Sequence, residues 1–255
     1  MVGSGTVGTT AELWRFPVKS MLGGKIGEAE LTAGGIVGDR AYALVDAETG
    51  QVVSAKSVKL FPDLFGCRAA FVEAPRAEGE PPPVRISLPD GTSVTSDAPD
   101  SDAILSRCFG RDVHLAPAAP APEGAFFDLF PISVLTASTL GHLNELRPGS
   151  RFDARRFRMN VIVDTHEEGF VENGWLGLAV EIGDAVRLRV AMPDPRCVMT
   201  TLAQEDLPRD TQILRTLTRH NRLEIAGSGR FPCAGVYAVV ESPGTLRTGD
   251  PVVVR

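Results

Sequence analysis

The sequence predicts a mainly β protein with short helices (α+β), whose strands form a barrel-like core. Three observations predict this class. Most apolar runs are short and rich in β-branched residues, and Gly, Pro or Asp separates them. Alternating apolar residues flank a Gly-Asp pair within residues 178–190, a pattern typical of a β-hairpin. Amphipathic helical patterns are confined to three short stretches, at residues 101–109, 138–146 and 209–220.

Each element is predicted from local residue types. The first helix begins at Ser101 and is followed by Gly110, which are the residues that favour the two helix caps. Residues 47–50 have the composition of a hairpin turn between two strands. The last two strands are expected to pair with each other across a glycine-containing loop. Outside the 178–190 hairpin, the predicted strands are Ile26–Leu31, Arg40–Asp46, Gln51–Ser54, Val161–Val163, Ala234–Glu241 and Val252–Val254.

Composition and charge exclude several classes of function. The 255 residues carry a formal charge of −6, whereas a nucleic-acid surface is normally basic. The sequence contains no apolar stretch of about 18 residues, so we expect neither a transmembrane helix nor membrane binding. The four cysteines form no CxxC pair, which argues against zinc or iron–sulfur ligand sets and favours a cytoplasmic location with reduced thiols.

The Pro/Ala-rich tract at residues 117–124 predicts a domain boundary. Such a tract is typical of a semi-rigid extended linker. We therefore expect a smaller β-rich N-terminal domain over residues 11–116 and a second domain over residues 125–255. Residues 1–10 lack the basic start and apolar run of a signal peptide and are expected to form a disordered tail.

Cys197 is the residue most indicative of chemistry. It follows Pro195 and Arg196, so a turn places a thiol next to a guanidinium, ahead of a β-branched stretch expected to be strand-like. A neighbouring cation favours the thiolate, which is both the reactive and the metal-binding form of cysteine. The alternative is that Cys197 is a small buried apolar residue, as free cysteines commonly are.

Two further clusters carry donors suited to an anion. Lys19 and Ser20 follow a proline turn, and Arg40 follows Asp39 in a glycine-rich segment. Lysine, hydroxyl and guanidinium groups are the donors that a phosphate group requires. The alternative for this cluster is a solvated turn with a surface ion pair.

The second cluster is a row of arginines at residues 155–158, before the strand at Val161. If the row continues the strand, Arg156 and Arg158 share one face and Asn160 follows in line. Such a row can bind phosphate and hydrogen-bond a heterocycle. The alternative is a polar strand face paired with acidic neighbours, for which the candidates are Glu167, Glu168 and Glu172.

These motifs, in this order, resemble those of the MOSC family (molybdenum cofactor sulfurase C-terminal domain), here preceded by the MOSC N-terminal β-barrel domain. The resemblance covers residues 11–254. Within the family, the chain is similar to the mitochondrial amidoxime reducing component and its bacterial relatives. The remaining motifs that carry it are Asp128–Ile132, Ser138–Leu140, Phe157–Asn160, Pro195–Cys197, Thr200–Thr201, Gly235–Tyr237 and Gly249–Pro251.

The resemblance implies a molybdenum–molybdopterin cofactor with Cys197 as the metal ligand. By the same comparison the pterin and its phosphate are surrounded by Lys19, Ser20, Arg40, Ser138, Arg158, Asn160 and Arg196. The interpretation of residues 155–158 as a row of arginines on one strand face adds Arg156 to this set. The chain departs from the family pattern at Asp194, where relatives often have a second cysteine, and at Glu205 or Asp206, where an acidic residue is displaced.

The leading hypothesis from the sequence is an oxidoreductase that reduces N-hydroxylated or otherwise N-oxygenated compounds. In this hypothesis Cys197 is the molybdenum ligand, and Asp194 or Asp206 serves as a proton relay. The partners expected are a small-molecule substrate and a separate electron donor (a flavoprotein, cytochrome or ferredoxin), and the protein is expected to be a monomer. Two alternatives stay open at this point: a cofactor or sulfur carrier in which Cys197 holds a persulfide, and a binding module that has lost the cofactor.

Overall fold

The computed structural model describes residues 5–119 and 125–255. The helices of this part of the chain are α1 (Ser101–Phe109), α2 (Ala137–Leu146), α3 (Ala154–Phe157) and α4 (Gln212–His220), with 3₁₀ turns at Leu64–Gly66, Val171–Trp175 and Val198–Thr201. The strands are β1 (Thr6–Arg15), β2 (Gly24–Ile26), β3 (Glu28–Thr32), β4 (Gly35–Ile36), β5 (Tyr42–Asp46), β6 (Arg68–Phe71), β7 (Val84–Ser87), β8 (Ser93–Thr95), β9 (Val113–Pro117), β10 (Ile132–Thr136), β11 (Val161–Thr165), β12 (Ala179–Ile182), β13 (Val186–Pro195), β14 (Arg222–Ile225), β15 (Gly229–Ser242), β16 (Gly244–Arg247) and β17 (Pro251–Val254).

Seven strands close into a barrel. Their order is β10-β11-β1-β17-β12-β13-β15, and β15 pairs with β10 to complete the ring. The pair β10–β11 is parallel, with Val134 opposite Val161, and the other barrel pairs are antiparallel. Closure leaves none of these seven strands as a free edge. The prediction of a mainly β, barrel-containing fold is therefore confirmed.

The interior of the barrel is filled by alternate residues of its strands. On β13, Val186, Leu188 and Val190 are at most 2% exposed. The residues between them point outward, and Arg187 and Arg189 both form ion pairs with Glu241. This period of two is the pattern that predicted the hairpin, and β12 and β13 pair as expected.

The chain divides into two compact units. One contains the barrel and consists of the chain up to Trp14, Lys25–Ile36 and Leu129–Arg255; the other consists of Arg15–Gly24 and Val37–Asp128. In the second unit β5 pairs with β9, and β6, β7 and β8 form a separate antiparallel sheet. The units thus differ from the contiguous division at residue 117, because β1 is a barrel strand and β3 pairs with β16.

The expected N-terminal tail is wrong for residues 6–10. They belong to β1, which pairs on one side with β11 and on the other with β17. Residues 1–4 of that tail and residues 120–124 of the expected linker lie outside the described part of the chain.

Three other expectations need correction. Gln51–Ser54 forms a single bridge, Val45 to Val52, rather than a strand. The two C-terminal strands do not pair with each other. β15 pairs with β13, β14 and β10, whereas β17 pairs with β1 and β12. The strand expected at Ile26–Leu31 is divided into β2 and β3.

The three predicted helices are present, with α4 beginning at Gln212 rather than at residue 209. No helix among the described residues is long and apolar enough to cross a membrane.

Candidate functional site

Cys197 lies on a turn that leaves the barrel at the end of β13. The strand ends at Pro195, and the backbone N–H of Arg196 still donates to the carbonyl of Pro232, at 2.8 Å. Val198–Thr201 is a 3₁₀ turn, not the strand-like stretch expected from its β-branched residues. The hydroxyl of Thr200 donates back to the carbonyl of Cys197, at 3.0 Å, and thereby stabilises the turn. Cys197 is half-buried, so the residue is partly open to solvent.

The other three cysteines are poor candidates for thiolate chemistry. Burial raises the pKa of Cys67 to about 12 and that of Cys233 to about 11, and it also raises the pKa of Cys108. These groups therefore stay as neutral thiols near neutral pH. All four cysteines are free. Cys197 remains the candidate nucleophile or metal ligand.

Arg196 joins three segments behind the Cys197 turn. Its Nε donates to the carbonyl of Ala234 and its Nη1 to the carbonyl of Phe157, each at 3.0 Å. Its Nη2 contacts the carboxylate of Asp194, which is 1% exposed. Charge-assisted hydrogen bonds of this kind hold the guanidinium group of Arg196 in one orientation. Every guanidinium nitrogen thus has a protein partner, which favours a positioning role for Arg196 and makes Asp194 its counter-ion.

The predicted row of arginines is not part of a strand. Asp153 caps α3 by accepting a hydrogen bond from the backbone N–H of Arg155, at 3.0 Å, so the segment begins as a helical turn. Arg158 ends that turn in the left-handed conformation, at φ 54°. Arg156 and Arg158 are consequently not alternate residues of one strand face, as the sequence suggested.

Arg156 is a structural residue rather than an anion ligand. It is 1% exposed, and its guanidinium donates to four backbone carbonyls. Two of them belong to the loop after the Cys197 turn, Leu202 at 3.2 Å and Pro208 at 2.8 Å. The others are those of Arg151 and Thr200. Its expected place in the cofactor-binding set is therefore corrected: its donors hold the loop instead.

Arg158 and Asn160 lie where β11 begins. Arg158 is 8% exposed and Asn160 is 2% exposed. The side-chain oxygen of Asn160 accepts hydrogen bonds from the backbone N–H and the hydroxyl of Ser133 on β10, at 3.2 and 3.0 Å. The carbonyl of Asn160 accepts from the N–H of Trp14 on β1. Asn160 therefore fixes the start of β11 between its two barrel neighbours.

Ser138 lies in the first turn of α2, and a buried hydroxyl network extends from it. Its hydroxyl is 2.8 Å from that of Thr165 and donates to that of Thr136, the residue that caps α2. Thr136 and Thr139 in turn donate to the carboxylate of Glu172, at 2.6 and 2.7 Å. The network ties the start of α2 to the interior of the barrel unit.

Glu172 is a residue that sequence reasoning placed wrongly. It was a candidate partner for the arginine row, whereas it is fully buried and accepts from Thr136, Thr139 and the backbone N–H of Gly235. Burial raises its pKa, and the hydrogen bonds from the threonines oppose that rise. Gly235 follows Ala234, the residue whose carbonyl binds Arg196. Glu172 therefore supports the strand on which the Cys197 turn depends.

Asp206 does not have the properties of a proton donor. It is exposed and forms ion pairs with Arg155 and Arg151, each at 2.7 Å. Hydrogen bonds from these two arginines lower the pKa of its carboxyl group. Asp206 is therefore ionised near neutral pH, and its ion pairs favour a structural role over the expected proton relay.

In the second unit, Lys19, Ser20 and Arg40 share one neighbourhood. The backbone N–H of Arg40 donates to the carbonyl of Phe16, and that of Lys19 to the carbonyl of Tyr42, so the two segments lie side by side. Ser20 is 4% exposed, and its hydroxyl accepts from the N–H of Ala55. The guanidinium of Arg40 contacts Asp39, which is 5% exposed. This is a largely buried pair, not the solvated surface pair of the alternative reading.

Lys19 is held by acceptors of its own unit. Its ammonium donates to the carbonyl of Phe126 and to the carboxylate of Asp128, both at 2.7 Å. Lys56 donates to the second carboxylate oxygen of Asp128. Burial lowers the pKa of Lys19, and the hydrogen bond to Asp128 opposes the shift. Burial disfavours the ionised form of Asp128, but the two lysines outweigh it, so the pKa of that carboxyl is lowered.

Backbone strain coincides with the candidate residues. Among the described non-glycine residues, positive φ angles occur at Ser20 (66°), Arg40 (51°), Arg158 (54°) and Glu205 (49°). Such conformations cost energy for residues with a Cβ and concentrate at functional sites. Three of the four were chosen from the sequence, for their side-chain chemistry. The fourth directly precedes Asp206 in the loop that Arg156 holds. Within the described residues, no group of three or more His, Cys, Asp or Glu side chains could hold a metal ion.

Two family models together match most of the chain. The family model of the MOSC domain matches residues 111–253, and that of the MOSC N-terminal beta barrel domain matches residues 7–114. The chain belongs to the MOSC family.

Relatives of this chain include named reductase components. It is 27% identical to mitochondrial amidoxime-reducing component 1 of Homo sapiens, over 96% of this chain and 82% of the relative. It is also 27% identical to mitochondrial amidoxime reducing component 2 of Homo sapiens, over 96% of this chain and 83% of the relative. Among solved structures, the YUAD protein from Bacillus subtilis has the same fold, with a TM-score of 0.52 and 14% identity over 97% of this chain and 95% of that one.

Proposed function

We propose that this protein is a molybdenum-cofactor-dependent oxidoreductase that reduces N-hydroxylated or otherwise N-oxygenated compounds. The observation that carries the proposal is the Cys197 turn: a half-buried thiol at the end of a barrel strand, backed by Arg196 and its buried counter-ion Asp194. The named activity of the relatives, amidoxime reduction, supplies the reaction class.

The residues of the site fit a molybdenum–molybdopterin group. A thiolate is the soft ligand that such a metal accepts, and Cys197 is the cysteine placed to supply it. In the same unit Arg158 and Asn160 carry guanidinium and amide donors, which suit the pterin and its phosphate. Ser138 is added on the family resemblance, since its hydroxyl already donates to that of Thr136. The left-handed backbone at Arg158 is strain of the kind that a binding role justifies. When bound, the cofactor supplies two-electron redox chemistry that no amino-acid side chain provides.

Lys19, Ser20 and Arg40 are proposed as cofactor-binding residues on the family resemblance. Two of the three, Ser20 and Arg40, also have positive φ angles. This part of the proposal rests on the matching motifs, and single variants in each unit can test it separately.

The protein's own residues have defined tasks in this proposal. Arg196 holds the backbone around Cys197 in one geometry, and Asp194 neutralises the buried guanidinium. Arg156 fixes the following loop by its contacts with the carbonyls of Leu202 and Pro208. Preorganisation of this kind keeps a reactive centre from reorganising during reaction.

The overall reaction consumes two electrons and two protons for each N–O bond broken. The hydroxylamine nitrogen is reduced to an amine-type nitrogen, and the oxygen leaves as water. We propose that a separate redox protein (a flavoprotein, cytochrome or ferredoxin) delivers the electrons. The four free thiols support a reducing, cytoplasmic location.

Turnover of an amidoxime by the cofactor-loaded protein tests the proposal. With reduced viologen as electron source, we expect the amidine to form with wild-type protein and not with Cys197→Ser. Cys108→Ser is the matched control, because that cysteine is also half-buried and lies in the second unit. No turnover of any N-oxygenated compound, together with a persulfide on Cys197 in intact-mass analysis, would favour the sulfur-carrier alternative.

A further inference from the structure

A cleft of about 160 Å³ in the barrel unit has an unusual lining of cations. It lies between the end of α2 and one face of α4. The α4 residues in it are spaced as neighbours on a single helical face, three and four positions apart. The lining residues are Leu146, Arg147, Gln212, Arg215, Thr216, Arg219 and His220.

The basic side chains of this cleft have no partners within the described part of the chain. Arg147, Arg215, Arg219 and His220 form no side-chain ion pair or hydrogen bond with a described residue, and no acidic side chain lines the cleft. Elsewhere in the same unit arginines are typically paired, as Arg189 is with Glu241. The contrast indicates that these cations are available to an anion from outside.

The helix ends do not account for this much positive charge. A helix C-terminus carries about half a negative charge, so the ends of α2 and α4 together offset about one of the three guanidinium charges. Arg215 also lies more than a turn before the end of α4, beyond the reach of that effect. Arg215 and Arg219 are four residues apart, where like charges destabilise a helix. Without a counter-anion this arrangement costs stability.

We propose that the cleft binds a phosphate-type oxyanion, as a site distinct from the cofactor residues. The guanidinium groups of Arg147, Arg215 and Arg219 offer paired N–H donors that match oxyanion geometry. Gln212 and Thr216 add neutral donors from the same face of α4. The volume is below the 300 Å³ or so of a typical small-molecule pocket, which selects a single phosphate group, either free or on a small ester.

Nuclear magnetic resonance titration of the full-length protein tests this site. Sodium phosphate is added to the ¹⁵N-labelled protein at constant ionic strength, with sodium chloride as the balancing salt. We expect saturable shifts at amides of α4 and the last turn of α2. Glycerol phosphate forms the second arm: tighter binding than inorganic phosphate assigns the site to an ester, and equal or weaker binding assigns it to the free ion.

Two matched variants make the test specific. Arg215→Gln removes one charged donor from the cleft, and we expect phosphate affinity to fall at least about tenfold. Arg85→Gln makes the same charge change on β7, at an exposed arginine of the second unit, and should leave affinity unchanged. Both residues are exposed, and glutamine is a good helix former at the α4 position, so both variants should fold. Shifts that do not saturate, or an equal loss of affinity in both variants, would overturn the proposal.

Discussion

Replacing Arg196 by lysine tests how the Cys197 turn is held. The change keeps the positive charge and removes the planar fork that reaches Ala234, Phe157 and Asp194. A single ammonium cannot reach acceptors on three segments in the same geometry. We therefore expect about two of the three charge-assisted hydrogen bonds to be lost, and the turn to become mobile while the barrel stays folded.

The magnitude follows from these contacts. At roughly 1.5 kcal/mol for each hydrogen bond of a charged group, Arg196→Lys lowers the free energy of unfolding by about 3 kcal/mol. For a protein of this size that corresponds to a fall in Tm of roughly 6–12 °C. The buried carboxylate of Asp194 keeps a cation nearby, so the larger cost of an unpaired buried charge is avoided.

Thermal unfolding followed by circular dichroism measures the effect. Arg189→Lys is the control, because Arg189 is on β13, the strand that leads into the turn, but its side chain is 38% exposed, where a salt bridge contributes under about 1 kcal/mol. If Arg196→Lys unfolds at the wild-type temperature, or no lower than the control, the buried contacts of Arg196 do not hold the turn and the reasoning is refuted.

Three further predictions concern Arg156, Glu172 and Asp206, whose contacts in the structure indicate structural roles. Arg156→Met leaves four backbone carbonyls without their donor, two of them in the loop after the Cys197 turn. We therefore expect a loss of about 2–4 kcal/mol in urea unfolding and faster proteolysis of the loop; unchanged protection would contradict the structural role. Because burial raises the pKa of Glu172 above its ordinary 4.5, the stability due to this group falls as the pH rises above about 4.5. Glu172→Gln should therefore gain stability relative to wild type between pH 4.5 and pH 8 in urea unfolding, and a difference that is constant with pH would refute this. Asp206→Asn should leave the turnover of an N-oxygenated substrate unchanged, and a large loss would restore the proton-relay role.

Sequence reasoning succeeded where the determinants are local. Gly110 ends α1 in the left-handed conformation as predicted, although Asp100 rather than Ser101 is the N-cap residue. The β12–β13 hairpin follows from alternation on both sides of Gly183. Barrel closure depends instead on pairings between distant strands, such as β1 with β17, that no local pattern specifies. The expected pairing of the two C-terminal strands failed for this reason.

The same difference between local and distant determinants applies to the candidate site. The Pro195–Cys197 turn is a short motif, and the structure places it at the end of a strand as a turn requires. Arg156 was misread because its partners lie up to 52 residues away, at Pro208, and because Asp153 starts a helical turn where a strand was expected. Glu172 lies 63 residues from Gly235, so its buried network had no signal in the local sequence.

The central claim is that Cys197 binds molybdenum, and metal content tests it most directly. The protein should be expressed in a host that makes molybdopterin, and molybdenum per chain measured by mass spectrometry for wild type, Cys197→Ser and Cys108→Ser. The account predicts stoichiometric molybdenum in wild type and Cys108→Ser, and loss of the metal in Cys197→Ser. Full molybdenum content in a folded Cys197→Ser protein, or none in folded wild type, would contradict it.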